Sequence, residues 1–298
     1  MDIVMLGHSA AGKTTYVSLM YAAMHGGIEG FGLRAENVSD HRVLSAAAEA
    51  VLRGRYPNVS NQRSVFEFVL QYEGQDVFPF RWRDYRGGAL RERKGNSEQA
   101  QQLHEDLMAA QAVVLFADAH RLVTVPGSAR ELRRMIMLVR SAMAERTTEL
   151  TPVVLTFTKC DLIDMNQDGN LDRVVGPFQE LIDAVAATQH LRGAFVPVAC
   201  GPEPVNVVFP ALWSLFYGIA GRALALEASL EQSLESARNA AARDTWWDRL
   251  ASPLIGEDTW AEISARHQRT AEAEYERLEP LLAPAQRLEQ LLEDVPSF

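Results

Sequence analysis

Lysine is nearly absent: Lys13, Lys94 and Lys159 stand against 26 arginines in a chain of 298 residues. A chain that avoids lysine so strongly keeps it where arginine's wide planar fork cannot serve. Cysteine is scarce too, and two residues exclude a disulfide framework in a protein of this size. Positive charge is in deficit, with 29 basic against 39 acidic residues and a net charge of −10. That balance excludes broad electrostatic capture of nucleic acid or anionic lipid. Long hydrophobic runs are also lacking. The longest, about Val207 to Gly221, carries Pro210 and Ser214 and falls short of the ~20 residues of a spanning helix. A strand-like run, Ile3-Val4-Met5-Leu6, starts at once and leaves no place for a targeting segment. The expectation is a soluble, cytoplasmic protein in a reducing compartment, with no membrane span.

What is present is an alternation of strand-like and helical patterns. Residues 2–6 are apolar, and a helical pattern runs from Lys13 to about Met24. Residues 63–74 and 75–85 alternate around Gly74 and read as a hairpin. Ala112–Ala117, Pro152–Phe157 and Ala194–Val198 are three more apolar runs with helical segments between them. This predicts an α/β domain over residues 1–221, its sheet mostly parallel with one antiparallel strand from the hairpin. Residues 222–298 hold 8 Arg and 15 Asp/Glu, with leucines at helical spacing, and read as an acidic helical extension. It is either a helical hairpin packing on itself or an appendage that docks a partner.

Gly7-His8-Ser9-Ala10-Ala11-Gly12-Lys13-Thr14 fits G-x-x-x-x-G-K-[ST] without a mismatch, between a strand and a helix. In such a loop the backbone of Gly7, Ser9, Ala10, Ala11, Gly12, Lys13, Thr14 and Thr15 curls around phosphate oxygens at a helix N-terminus. Lys13 reaches the β- and γ-phosphates, and the Thr14 hydroxyl coordinates Mg²⁺. Thr158-Lys159-Cys160-Asp161 directly follows a strand. Its aspartate can accept from guanine N1–H and the 2-amino group, a donor pair that adenine lacks, while the lysine stem lies along the base. Asp84-Tyr85-Arg86-Gly87 supplies D-x-x-G: Asp84 holds Mg²⁺ through water and Gly87 offers an N–H to the γ-phosphate. Val198-Ala199-Cys200-Gly201 ends the last strand, where the backbone at Ala199 and Cys200 can meet the guanine oxygen.

The series GHSAAGKT, DYRG, TKCD and VACG, in that order, resembles Ras-like small GTPases of the translation-factor-related P-loop class. It looks closest to bacterial proteins that open with a GHSxxGKTT loop, including those of conflict or defence gene clusters. The resemblance covers about residues 1–221. It implies a P-loop NTPase fold with Lys13, Asp84 and Gly87 at the catalytic centre and Thr14 and Asp84 around Mg²⁺. It also implies GTP and GDP as ligands, and a switch whose loops rearrange when the γ-phosphate is lost. The expected partner is a protein effector or a GTPase-activating protein, with self-association left open.

The sequence departs from that pattern where catalysis is concerned. After Gly87 comes Gly88, where such proteins carry a glutamine that orients water. No threonine occurs between Thr15 and Thr124, so the usual switch threonine is missing; Ser60 and Ser64 both remain candidates for its hydroxyl. Hydrolysis is therefore expected to be slow, with Arg53, Arg55, Arg63 or a partner completing the site. A scaffold that holds GTP without hydrolysing it is the alternative, and an ATPase in which TKCD is accidental is a third. The run from Asp164 to Asp172 imitates the start of a calcium loop, but Val175 stands where its bidentate glutamate belongs, which favours a helix-capping turn.

Overall fold

A computed structural model describes residues 1–57, 64–85, 98–146, 150–243 and 260–298. Seven strands form one sheet: β1 (Asp2–Gly7), β2 (Phe31–Ala35), β3 (Ser64–Tyr72), β4 (Gln75–Asp84), β5 (Ala112–Asp118), β6 (Thr151–Thr158) and β7 (Leu191–Pro197). Their order is β2-β3-β4-β1-β5-β6-β7. β4, β1, β5, β6 and β7 pair in parallel, whereas β3 runs antiparallel to both of its neighbours. The mostly parallel sheet with one reversed strand is thus present. β1 and β5 read as unbroken apolar runs because both of their faces are covered. The β3–β4 hairpin turns at Glu73 and Gly74, both at positive φ (49° and 78°), the pairing of angles that matches strand twist.

The helices are α1 (Lys13–His25), α2 (Val38–Leu52), α3 (Glu98–Ala109), α4 (Ala119–Thr124), α5 (Ala129–Ala144), α6 (Asn170–Val175), α7 (Gln179–Ala186), α8 (Phe209–Arg243) and α9 (Trp260–Leu292). Strand side chains divide by parity. Val4, Leu6, Val113, Leu115, Val153 and Leu155 face one core with α3, α5 and α7. On the other face Tyr16 of α1 packs edge-on against Phe116 (4.8 Å between centroids) and beside Trp82 (6.0 Å), and the Trp82 Nε1–H points to Met5 Sδ at 3.4 Å.

Three details differ from the sequence reading. β2 was not foreseen, because a five-residue run is too short to stand out, although Phe31, Leu33 and Ala35 alternate as its buried face. β7 begins three residues early, since Leu191 and Arg192 already pair with Thr151 and Pro152. The apolar run expected to stop near Gly221 continues: Phe209–Glu235 of α8 is long and apolar enough to cross a membrane by length and composition alone (mean hydropathy 1.3). Its first turns are core, with Ala211, Leu212 and Leu215 almost fully buried.

The chain divides into two compact units, residues 1–218 with 288–298 and residues 219–287. In the second, parts of α8 and α9 pair through Ser229 and Ser233, whose hydroxyls both donate to the Glu274 carboxylate. The last residues, which the sequence reading placed with the extension, belong to the first unit. There the Phe195 N–H donates to Pro296 O (2.9 Å), and Gly193 and Phe298 exchange two bonds of 3.0 Å. The Phe298 ring lies over Gly193 and is tilted against Phe195 with the ring centroids 4.5 Å apart, and a β-carbon at Gly193 would come within 2.2 Å of it. This short pairing covers the free edge of β7. Phe298→Ala is expected to cost about 1–2 kcal/mol, or roughly 2–4 °C in melting temperature, read by thermal denaturation. An unchanged melting temperature would show that the edge contact adds nothing to stability.

Candidate functional site

The carboxyl ends of β1, β4, β5, β6 and β7 carry the loops on which every sequence motif falls, the place where open α/β sheets bind ligands. β1 ends at Gly7, so close to β5 that a β-carbon there would lie 2.8 Å from Phe116 Cβ and 2.9 Å from its carbonyl. The chain then turns through Ala10 (φ 64°) and Gly12 (φ 82°), both left-handed, and the Ala11 N–H closes onto His8 O at 3.1 Å. The first α1 bond, Tyr16 N–H to Gly12 O, measures 2.8 Å, and no side chain caps this helix. Uncapped first-turn N–H groups and the positive end of the helix dipole both favour an anion in front of the loop.

Lys13 curls back over that loop. Its ammonium donates to Gly7 O (2.9 Å) and His8 O (3.4 Å) and lies 3.9 Å from Asp84 Oδ1. Both side chains are buried, at 8% and 5% exposure. Burial holds the Lys13 pKa below its ordinary value, with the Asp84 charge opposing the shift. Burial likewise pushes the Asp84 carboxyl up to about 6, again against the pull of its partner. Asp84 Oδ1 accepts no hydrogen bond. A buried carboxylate oxygen left this way is costly, and its chemistry suits a hard cation. Thr14, in the first turn of α1, adds a hydroxyl of the same kind. These residues therefore fit Mg²⁺.

The TKCD segment is tied to the phosphate loop. Thr158 is fully buried, and its hydroxyl lies 3.0 Å from Ala11 O and 3.2 Å from Ala117 O, with one proton to share between them. It thus braces the loop rather than facing a ligand. Lys159 is left-handed (φ 59°) and its ammonium meets Asp118 Oδ2 at 2.5 Å. Asp161 sits exposed on the single 3-10 turn Cys160–Leu162. The Cys160 N–H bonds Val198 O at 3.4 Å, which fixes this turn against the end of β7. Burial pushes the Cys160 and Cys200 thiols up to about 11 and about 12, which disfavours the thiolate in both.

In the last motif the Ala199 N–H is already spent on Val205 O at 3.1 Å, and Val205 returns the bond. Ala199 is therefore withdrawn as a donor to the base, and the loop's remaining residues, Cys200 onward, face that role. One neighbour went unnoticed in the sequence: the Tyr56 hydroxyl stands 3.5 Å from where a Gly201 β-carbon would sit. Its ring is 59% exposed, an aromatic left in solvent beside the base-reading loops. Only the isolated aromatic after α2 could have flagged it.

Gly87, with Arg86, Gly88, Ser60 and Arg63, lies outside the described residues. Ser64 opens β3 directly opposite Asp84 in register, whereas Arg53 pairs with Glu49 at 3.1 Å on the exposed side of α2. The calcium-like run forms a turn in which Asp164 Oδ1 accepts from the Asn166 N–H (2.9 Å), with Gly169 left-handed before α6. Among the described residues no group of three or more His, Cys, Asp or Glu could hold a metal ion.

Among solved structures, the chain is similar to a signal recognition particle receptor SRb-GTP/SRX complex from Chaetomium thermophilum (14% identity, 72% of this chain, 97% of that one, TM-score 0.43). It is similar also to the S. cerevisiae Ski7 GTPase-like domain bound to GTP (14%, 67% and 42%, TM-score 0.43) and to the Arl6 BBS3 small GTPase of Trypanosoma brucei with a bound nucleotide analogue (13%, 72% and 95%, TM-score 0.40). No curated protein matches. The family profile described as Double-GTPase 1 matches residues 4–168, a stretch that runs from β1 through TKCD and contains the phosphate loop, the buried Asp84 and the braced Thr158. The chain belongs to the Double-GTPase 1 family.

Proposed function

We propose that this chain binds GTP and GDP with Mg²⁺ and hydrolyses GTP slowly, as a switch that controls a protein partner in the cytoplasm. The observation that carries the reading is the buried Lys13–Asp84 pair, two charges held 3.9 Å apart beneath an uncapped helix terminus. In this reading the N–H groups of Ser9 to Thr15 cradle the phosphates and Lys13 exchanges its own loop carbonyls for β/γ oxygens. Thr14 and Asp84 hold the ion, which supplies neutralisation of charge on those oxygens when bound. Asp161 accepts from the guanine edge, Lys159 lies along the base, and the Cys200 end of the last loop meets the guanine oxygen. Tyr56 closes the base from the solvent side.

Slow turnover follows from what the chain lacks. Gly88 has no side chain to orient water, and no threonine occurs between Thr15 and Thr124. Ser64, which opens β3 opposite Asp84, is a candidate to supply the missing hydroxyl. A partner is supported by the family's description as a double GTPase. One G-x-x-x-x-G-K-[ST] occurs in these 298 residues, so in this reading the second member of such a pair is another copy of the chain or a different protein. The same two absences favour the second reading, a scaffold that holds GTP without hydrolysis.

Three outcomes are expected. Fluorescent GDP and GTP bind at least about tenfold more tightly than ATP, and Asp161→Ala erases that preference; equal ATP binding would overturn guanine recognition. Lys13→Ala weakens GDP and GTP by about a hundredfold or more, because the buried positive charge facing the phosphates is lost; unchanged affinity would sink the phosphate-loop assignment. Single-turnover hydrolysis releases phosphate slowly in Mg²⁺ and stops when the ion is chelated or when Asp84→Asn is used. Retention of the γ-phosphate over hours, with and without partner, would leave the scaffold reading in its place.

A further inference from the structure

The sequence reading assigned Lys159 to the base but gave it no support. The structure provides one in Asp118, the last residue of β5 and the register partner of Thr158 on β6. One oxygen of Asp118 accepts the Arg121 N–H (2.9 Å) and so caps α4; the other meets the Lys159 ammonium at 2.5 Å. The carboxylate is 12% exposed and the ammonium 37%. Around them the cap is itself held: Arg121 pairs with Glu131 (2.8 Å), and the Ser128 hydroxyl donates to Arg121 O (3.1 Å). Asp118, Arg121 and Lys159 share a cavity of about 150 Å³ with the outer side of the phosphate loop at Ser9 and Ala10.

A left-handed backbone at a residue other than glycine costs free energy and persists only where its surroundings fix it. Lys159 is such a residue, and it has two anchors. Thr158 fixes the preceding residue to the loop, and Asp118 fixes the far end of the side chain. With both ends held, the four-carbon stem samples fewer rotamers than a free lysine side chain. We infer that Asp118 is a positioning residue for guanine-nucleotide affinity: it pre-orders the Lys159 stem as the apolar surface on which the base packs. The inference rests on the guanine-nucleotide reading proposed above. It assigns to Asp118 no contact with the nucleotide, and it predicts an effect on binding of the base without an effect on its identity.

The test measures GDP and inosine diphosphate affinities for the full chain, its Asp118→Asn and Lys159→Met variants and the double variant. Asparagine caps a helix as well as aspartate does, so Asp118→Asn removes the ion pair and keeps α4. The expected result is a loss of about five- to tenfold for Asp118→Asn, equal for GDP and inosine diphosphate, because the 2-amino group is read by Asp161. Lys159→Met weakens binding as well, and adding Asp118→Asn to it costs nothing more, since the pair is already broken. Asp118→Asn binding like the unaltered chain would overturn the inference. So would losses that multiply in the double variant, or a change in the ratio of GDP to inosine diphosphate affinity. If the unaltered chain itself fails to prefer GDP to ADP, the parent reading falls and takes this one with it.

Discussion

The buried pair of Lys13 and Asp84 constrains the whole carboxyl edge of the sheet. Neither charge is well served where it sits. Lys13 donates to two carbonyls of its own loop, and Asp84 keeps an oxygen without any donor. Burying opposite charges stabilises a fold only when the remaining protons and lone pairs are satisfied. Here they are satisfied in part, and burial opposes both ionised states. A phosphate oxygen facing Lys13 and a cation facing Asp84 would complete both shells at once. In the proposed reading, the incomplete satisfaction of both groups favours a ligand that brings an anionic oxygen and a cation together.

The rest of the first unit keeps that pair in place. β1 and β4 lie side by side in parallel register, with Met5 opposite Asp84, so the strand that starts the phosphate loop also fixes the distance to the carboxylate. Gly7 permits the close approach to Phe116 that seats β1 against β5. Thr158 then joins a loop carbonyl to two strand ends, which makes the phosphate end and the base end one rigid surface. The tyrosine after Asp84 is drawn inward as well: the Tyr85 hydroxyl donates to the Asp106 carboxylate of α3, which Gln102 also reaches at 3.1 Å. Tyr85, directly after β4, is thereby tied to α3.

Much of this was legible in the sequence because the motifs are local. A phosphate loop needs one strand, one turn and one helix, all contiguous, and residues 2–25 announce each of them. The order of DYRG, TKCD and VACG fixed which strand ends converge. What was not legible depends on pairs distant in the chain. Nothing in the sequence links Thr158 to Ala11, Asp118 to Lys159, or Tyr56 to Gly201, since each contact joins separate loops across the sheet. The Ala199 N–H was offered to the base for the same reason: its capture by Val205 depends on a turn without a periodic signal. On α9 the helical leucine spacing holds for Leu278, Leu288 and Leu292, which are buried, but Leu281 is buried as well while Leu282 is 44% exposed. Leucines in adjacent positions leave a helical face ambiguous by 100° per residue, and packing decides between them.

The scarcity of lysine now has a physical reading. Two of the three lysines, Lys13 and Lys159, each face a buried or half-buried aspartate at the same edge of the sheet, Asp84 and Asp118. Both tasks need a slender stem with a point charge at its end. The Lys13 stem passes over Gly7, with its Cδ 3.3 Å from where a β-carbon there would sit, a gap too narrow for a guanidinium plane. Lys159 must lie flat while its tip turns into a carboxylate, and a rigid fork would displace the surface on which a base can rest. Elsewhere the chain uses arginine for fixed, forked contacts, as where Arg83 joins Asp2 at 2.8 Å and reaches Asp106 at 3.5 Å, while Arg81 meets the other Asp2 oxygen at 2.7 Å. Arginine sets the frame of the sheet, while two of the three lysines each turn a single ammonium onto an aspartate at its carboxyl edge.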